Sequence, residues 1–205
     1  MGKLLSLFDA CLAVDYTGSE GGVDLAIRRV GRHLYIFFEH SNGCADWRSN
    51  LDFPARVHTG ACGVFYAHRG FLAAFEVAKE RITPAVLDRG VSRITLVGYS
   101  HGAALALLAT EYAFCARPDL REHIEGCGFG CPRVIWGRAG EESERAFRAF
   151  TVVRNKGDIV THLPPALFGY RHVGRMLEIG ARGRYSGVDA HREENIRAEL
   201  LRAGL

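Results

Sequence analysis

Two spacings of apolar residues recur along the chain and predict an alternation of helices and strands. Apolar positions three or four residues apart favour helices, whereas short runs of β-branched and aromatic residues favour strands. We predict strands over 23–30, 33–39, 92–97, 126–134, 150–154 and 172–179. The helical patterns cover 4–16, 71–82, 102–116, 141–150 and 191–201. Such an alternation is typical of an α/β fold with a mostly parallel sheet and helices on both faces.

The first two predicted strands differ from the others because only Gly31 and Arg32 separate them. So short a connection predicts an antiparallel hairpin, which makes the sheet mixed. Residues 34–38 are almost all apolar, as expected of a central strand that is covered on both faces. The 205 residues show no repeat, low-complexity segment or linker, so we expect a single domain over 1–205.

Two connections carry signals of their own. Pro84 follows the helical pattern of 71–82 and is expected to end that helix, with a further short helical piece over 85–89. The polar stretch 39–53 follows the predicted central strand. In open α/β sheets such a loop lies at the carboxyl edge, where ligands bind, so functional residues are expected there.

Composition and charge narrow the function classes. The chain is 48% hydrophobic and 24% charged, which is ordinary for a globular protein. A net charge of +3 with interleaved signs excludes a basic nucleic-acid groove. No apolar run reaches the roughly 18 residues of a transmembrane helix. The N-terminus lacks a secretory leader pattern, so we predict a cytoplasmic protein, with secretion by a route without a cleaved leader left open.

Six cysteines stand at positions 11, 44, 62, 115, 127 and 131. Because a chain of this size can fold without disulfides, we expect mostly buried thiols in a reducing compartment. Cys127 and Cys131 have only His123 as a nearby histidine, which is too few ligands for a zinc site. We therefore expect neither a metal nor a cofactor.

The strongest chemical signal is the pentapeptide Gly98-Tyr99-Ser100-His101-Gly102, which lies between a strand pattern and an Ala/Leu-rich helix pattern. A strand–G-x-S-x-G–helix arrangement forms a sharp turn that exposes the serine hydroxyl above the sheet. The two glycines permit the close approach of the backbone, because they have no Cβ. Ser100 is therefore the candidate nucleophile.

An acyl-transfer serine needs a base, and the base needs a carboxylate that orients it. Asp158 follows the strand pattern of 150–154 in a glycine-containing turn, which makes it the candidate acid. Three histidines follow it, namely His162, His172 and His191. The order serine, acid, histidine fits all three, so sequence order alone leaves the base open.

Together these motifs resemble the class 3 (fungal-type) triacylglycerol lipases of the α/β-hydrolase superfamily. Five segments carry the resemblance: Tyr35-Ile36-Phe37-Phe38 through Asn50-Leu51, His68-Arg69-Gly70-Phe71, Leu96 to Gly102, Gly128-Phe129-Gly130-Cys131-Pro132-Arg133-Val134, and Val152 to His172. Each motif is modest by itself, but all occur in the order of the family. The resemblance covers residues 30–195.

The resemblance distinguishes the three histidines. His191 stands in Val188-Asp189-Ala190-His191, similar to the family's Asp-His turn with one residue inserted. His172 lies in a segment like the family's G-[YF]-x-H, whose histidine is not the base, and it remains the alternative. His162 is similar to part of the segment that holds the acid. The resemblance therefore implies Ser100, Asp158 and His191 as the catalytic residues.

A tetrahedral intermediate also needs donors for its oxyanion. The residue after the nucleophile supplies a backbone N–H, which assigns His101. Alignment with the family from Trp47 places the second donor at Ser41. The family usually has R-G-[ST] there, whereas this chain has Glu39-His40-Ser41, so His40 is expected to narrow the pocket or to bind polar groups of the substrate.

Residues 42–53 form a short lid candidate, with Trp47, Leu51 and Phe53 as acyl or interface contacts; the alternative is that these three belong to the core. A lid of this length can cover only a small opening of the active site. We therefore predict a serine carboxylic ester hydrolase for acylglycerols or short- to medium-chain esters, with transient lipid-surface contact and weak or no activation by it. The alternatives are a phospholipase, an acyltransferase, or an inactive lipid-binding protein on the same fold.

Overall fold

The structure, a computed structural model, describes residues 2–18, 23–39, 54–60 and 62–205. The α-helices of this part are α1 (Lys3–Ala13), α2 (Arg69–Val86), α3 (His101–Ala116), α4 (Glu141–Phe147) and α5 (Glu193–Ala203). The strands are β1 (Leu25–Val30), β2 (His33–Phe38), β3 (Ala55–Gly60), β4 (Gly63–His68), β5 (Arg93–Tyr99), β6 (Ile124–Phe129), β7 (Ile135–Trp136), β8 (Phe150–Asn155), β9 (Tyr170–Arg171) and β10 (Arg175–Ile179). Short 3-10 helices cover Pro118–His123, Val160–His162, Ala166–Phe168 and Asp189–His191.

The main sheet has six strands in the order β1-β2-β5-β6-β8-β10. All neighbouring pairs are parallel except β1 and β2, which form the predicted hairpin in the register Leu25 opposite Phe38. The prediction of a mostly parallel, mixed α/β sheet is therefore confirmed. Its parallel strands end at one edge, which brings the loops after β5, β8 and β10 together.

Both faces of this sheet are buried, each by a different pair of helices. Leu34, Ile36 and Phe38 of β2 join the cluster that contains α2 and α3. Phe37 of the same strand joins the cluster that contains α1 and α5. Successive side chains of a strand point to opposite faces, so a strand covered on both sides is apolar at every position. This accounts for the continuous apolar run on which the central-strand prediction rested.

A second sheet, in the order β3-β4-β7-β9, is antiparallel and was not predicted. Two of its strands have only two residues each, too few to show a period. In β3, His58 is buried while Arg56 and Val57 are exposed, which breaks the usual relation of polarity and burial. β3 and β4 form a local hairpin in which Gly60 lies opposite Gly63, whereas β7 and β9 join it from distant parts of the chain. No local pattern reveals those distant pairings.

The prediction that Pro84 ends the second helix was wrong, since α2 continues through it to Val86. Ile82 and Val86 lie on one apolar face and are fully buried, which favours continuation of the helix. Pro84 removes the hydrogen bond to the carbonyl four residues earlier, on Glu80. Glu80 is exposed, so water can bind that carbonyl.

The cysteines divide into two groups. Cys11, Cys127 and Cys131 are free and buried, as predicted. The expectation was wrong for Cys62 and Cys115, which form a disulfide with their Cα atoms 5.4 Å apart. The two residues are 53 positions apart in sequence and meet only after folding. Cys44 lies outside the described residues. None of the described helices is long and apolar enough to span a membrane.

Candidate active site

Ser100 lies in the turn that joins β5 to α3, with backbone angles φ 55° and ψ −119°. Among the described residues it is the only one other than glycine with positive φ. Such a conformation costs roughly 1–3 kcal/mol and is characteristic of functional turns. A Cβ on Gly98 would collide with the Gly102 carbonyl, and one on Gly102 with the Phe38 carbonyl. The two glycines are therefore required by the backbone packing around Ser100.

Three side chains from distant parts of the chain meet above this turn. Nε2 of His191 lies 2.8 Å from Ser100 Oγ, and Nδ1 of the same ring lies 2.8 Å from Asp158 Oδ2. Both distances are those of good hydrogen bonds. With a proton on Nδ1, the imidazole donates to Asp158 and accepts from the Ser100 hydroxyl. This is the arrangement of a nucleophile, a base and a carboxylate that orients the base.

Asp158 is fully buried in the turn after β8. Its Oδ1 accepts a hydrogen bond of 2.9 Å from the backbone N–H of Val160, while Oδ2 faces His191. The hydroxyl of Thr161 donates to the Asp158 carbonyl at 2.8 Å. Each carboxylate oxygen thus has its own donor, which fixes the orientation of the carboxylate toward the imidazole.

His191 ends a 3-10 turn over Asp189–His191. The Tyr99 hydroxyl donates to the His191 carbonyl at 2.5 Å, and its ring stacks on the imidazole with centroids 5.2 Å apart. Asn155 Nδ2 donates to the Ala190 carbonyl at 2.9 Å. Ala190, the residue inserted relative to the family's Asp-His pattern, is fully buried in this turn. The insertion is therefore accommodated without moving His191 away from Ser100 and Asp158.

The two alternative histidines have other contacts. His172 Nε2 donates to the Thr161 carbonyl at 2.7 Å, so the ring supports the backbone of the acid loop. Burial lowers the pKa of His172 to about 4, so this side chain is neutral at pH 7. Burial also lowers the pKa of His162, whose backbone carbonyl accepts a hydrogen bond from Arg133. The described contacts bring neither ring to Ser100, in contrast to His191.

Gly130, Tyr99 and Asn155 were not assigned roles from the sequence. Gly130 has φ +59°, and a Cβ there would lie 2.6 Å from Cε1 and 2.8 Å from Nδ1 of His191. Its lack of a side chain makes room for the imidazole. Gly130 and Tyr99 both stand inside motifs that were noticed, but the partner they accommodate comes from much later in the chain.

The remaining predicted site residues divide by location. His101 is the first residue of α3 and directly follows Ser100. Its ring is buried and packs on Phe71, with ring centroids 5.5 Å apart. The side chain thus contributes to packing, while its backbone N–H lies at the helix start. The other predicted residues are Ser41, His40, Trp47, Leu51 and Phe53. All five lie outside the described residues.

The segments that form this site also match a known protein family. The model of the family "Lipase (class 3)" matches residues 35–168, about two thirds of the chain. The chain belongs to the class 3 lipases. The match includes the serine turn and the acid loop, and the expected family is confirmed.

Two relatives of the chain are fungal proteins. A lipase from Rhizomucor miehei is 30% identical over 161 residues, which cover 69% of this chain and 40% of the relative. The secreted mono- and diacylglycerol lipase 1 of Fusarium solani is 28% identical over 160 residues, covering 74% of this chain and 45% of the relative. The chain therefore spans less than half of the length of these relatives.

The fold of the chain also matches solved structures. A triacylglycerol lipase whose catalytic centre is formed by a serine protease triad has a TM-score of 0.70 at 24% identity. The alignment covers 82% of this chain and 66% of that structure. At this identity the likeness establishes the fold, which is that of the α/β-hydrolases.

Proposed function

We propose that this class 3 lipase is a serine carboxylic ester hydrolase that cleaves acyl esters through an acyl-enzyme on Ser100. The observation that carries the proposal is the pair of 2.8 Å contacts that His191 makes with Ser100 Oγ and Asp158 Oδ2. A hydroxyl at this distance from a neutral imidazole nitrogen can lose its proton as it attacks a carbonyl.

The reaction follows from the roles of the three side chains. Ser100 Oγ attacks the ester carbonyl while Nε2 of His191 takes its proton. The imidazolium, stabilised by Asp158, then protonates the departing alkoxide, so an alcohol leaves and the acyl group stays on Ser100. In the second half, Nε2 takes a proton from water, the hydroxide attacks the acyl-enzyme, and the proton returns to Ser100 as the carboxylic acid leaves.

The tetrahedral intermediates require an oxyanion site, and one donor is proposed from the helix start. The backbone N–H of His101 follows the nucleophile directly and lies at the N-terminus of α3, where the helix dipole stabilises a negative charge. Ser41 remains the proposed second donor on the family resemblance, with His40 beside it. Each such donor contributes roughly 3–4 kcal/mol to transition-state stabilisation.

The substrate class is proposed from apolar side chains near the triad. Ile159 follows Asp158 directly, and its backbone N–H donates to the Gly187 carbonyl at 3.3 Å, beside Val188. Ile159 is 45% exposed and Val188 58% exposed. Exposed apolar side chains that neighbour the acid and the turn of His191 in the chain suit an acyl chain or a lipid surface. We therefore propose acylglycerols or short- to medium-chain esters, with transient lipid-surface contact.

The cellular location of the protein is also proposed here from two observations. The Fusarium solani relative is named as secreted, and the Cys62–Cys115 disulfide is a bond that persists in oxidising surroundings. Neither observation supports the cytoplasmic location predicted from the sequence. We propose a disulfide-permissive compartment.

A fluorophosphonate probe tests the proposed nucleophile. The probe should label wild-type protein on Ser100 and should not label Ser100→Ala, while Ser186→Ala, which changes a serine outside the triad, should be labelled as wild type is. p-Nitrophenyl esters of increasing acyl length then report turnover and chain-length preference together. Well-folded wild-type protein that takes up no label and releases no nitrophenol would overturn the hydrolase proposal and favour a lipid-binding protein.

A further inference from the structure

A second group of chemically reactive side chains lies at the far end of α3 from Ser100. Cys115 is 14 residues after His101, which places it about 20 Å along the helix. Sγ of Cys62, Sγ of Cys115 and a carboxylate oxygen of Glu111 all lie within 4.8 Å of one another. Among the described residues this is the only such group with the ligand atoms of a metal site.

Glu111 is the residue whose position calls for an explanation. It is 1% exposed, and acidic side chains are almost never fully buried unless they are paired or bind a metal. Its Oε1 accepts a 3.0 Å hydrogen bond from the Ser143 hydroxyl, which is itself fully buried. Within the described part of the chain no lysine or arginine forms a salt bridge with Glu111.

A histidine lies beside Glu111, outside this group of three. His58 is 7% exposed, and its Nδ1 lies 3.3 Å from Glu76 Oε1. A Cβ built on Gly60 would lie 3.0 Å from His58 Nε2 and 3.6 Å from Glu111 Oε2, so both atoms line the space beside Gly60. A carboxylate on one ring nitrogen with the other directed inward is the usual orientation of a metal-binding histidine.

We propose that reduction of the Cys62–Cys115 disulfide converts this group into a Zn²⁺ site, with Cys62, Cys115 and Glu111 as ligands and His58 facing the fourth position. A dithiol supplies two electrons and two protons, which break the S–S bond to give two thiols while the dithiol becomes a disulfide. Zn²⁺ then displaces one proton from each thiol. Two thiolates and a carboxylate supply three of the four donors of a tetrahedral zinc site, and the imidazole of His58 lies on the side of Glu111 from which a fourth donor can approach.

The site joins parts of the fold that are distant in sequence. Cys62 directly precedes β4, whereas Glu111 and Cys115 lie one turn apart on α3. Either the disulfide or the metal would connect the second sheet to the helix that begins at Ser100. Because the site lies far from the triad and uses none of its residues, it is independent of the proposed hydrolase activity.

Zinc titration of oxidised and reduced protein tests the proposal. Protein reduced with excess dithiol and then freed of it without oxygen should take up one Zn²⁺ per chain in competition with a chromophoric chelator, and oxidised protein none. Co²⁺ in place of Zn²⁺ should give a thiolate-to-cobalt charge-transfer band and the intense visible bands of tetrahedral cobalt. Reduced protein that binds no metal would overturn the proposal.

Variants separate this site from the other thiols. The double variant Cys62→Ser/Cys115→Ser should lose binding although four other cysteines remain, and Cys131→Ala should bind as wild type does. Glu111→Gln keeps the size of the side chain and should weaken binding by at least about tenfold. Equal zinc affinity in reduced wild type and in the double variant, or an unchanged affinity and cobalt spectrum in Glu111→Gln, would refute the assignment. Circular dichroism establishes that each variant is folded.

Discussion

Replacing Gly130 by alanine perturbs the proposed base without changing any group that reacts. The added Cβ would lie 2.6 Å from Cε1 and 2.8 Å from Nδ1 of His191, and 3.3 Å from Asp158 Oδ2. Carbon atoms pack at about 3.5–4.0 Å, so the imidazole must move by about 1 Å. Its contact with Ser100 Oγ, now 2.8 Å, would then exceed the length of a hydrogen bond.

The expected size of the effect follows from this displacement. A misplacement of about 1 Å costs about 100-fold in rate, so kcat/KM for a short p-nitrophenyl ester should fall by about that factor. Gly130 also has φ +59°, where alanine is strained. That strain costs roughly 1–3 kcal/mol of unfolding free energy, and it must be distinguished from the effect on the base.

Gly31→Ala is the matched control. Gly31 has φ +60°, and nothing lies within 4 Å of a Cβ built there. Gly31→Ala should lose only the roughly 1–3 kcal/mol of backbone strain in urea unfolding, and Gly130→Ala at least as much because of the added contact, but only Gly130→Ala should lose activity. The reasoning would be refuted if folded Gly130→Ala kept kcat/KM within threefold of wild type, or if Gly31→Ala lost as much activity.

Three further predictions concern the acid, the turn that holds His191, and the histidine that supports the acid loop. Asp158→Asn should favour the wrong tautomer of His191 and lower kcat by about 10⁴-fold, and a loss below tenfold in stopped or steady-state ester assays would contradict the assigned role. Tyr99→Phe leaves the buried His191 carbonyl without its donor and should cost roughly 1–3 kcal/mol in urea unfolding, whereas the exposed Tyr66→Phe should cost almost nothing; equal costs would count against this contact. The pKa of His172 is about 4 in the folded protein, compared with an ordinary value of 6.5. Between these two pH values the imidazole is protonated in the unfolded chain but not in the folded protein. Stability should therefore fall by up to about 3 kcal/mol between pH 7 and pH 4, and His172→Asn should flatten this fall; identical pH profiles for both proteins would disprove it.

The main sheet and the serine turn were predictable because their signals are local. Gly98, Ser100 and Gly102 stand within five residues, and the strand and helix that flank them each have a clear apolar pattern. The hairpin around Gly31 was predictable for the same reason. In contrast, the second sheet pairs strands of as few as two residues, and Pro84 is tolerated inside α2 only because Ile82 and Val86 are buried against the core.

The choice among His162, His172 and His191 shows a different limit. Chain order fits all three, and the family resemblance favoured His191 despite the inserted Ala190. Their separation in the structure depends on Asn155 and Tyr99, which position the turn that holds His191, and on Gly130, which leaves room for its ring. These contacts join residues tens of positions apart, so no pattern of nearby residues contains them.

By itself, the sequence determined the class of fold, the family and the candidate nucleophile, since periodicity and short motifs depend on neighbours along the chain. Only the tertiary structure decided which histidine meets Ser100 and Asp158, and that Cys62 pairs with Cys115 beside the buried Glu111. Contacts of this kind depend on distances between elements. Those distances are set when the two faces of the sheet are packed by their helices, and not by the spacing of residues in the chain.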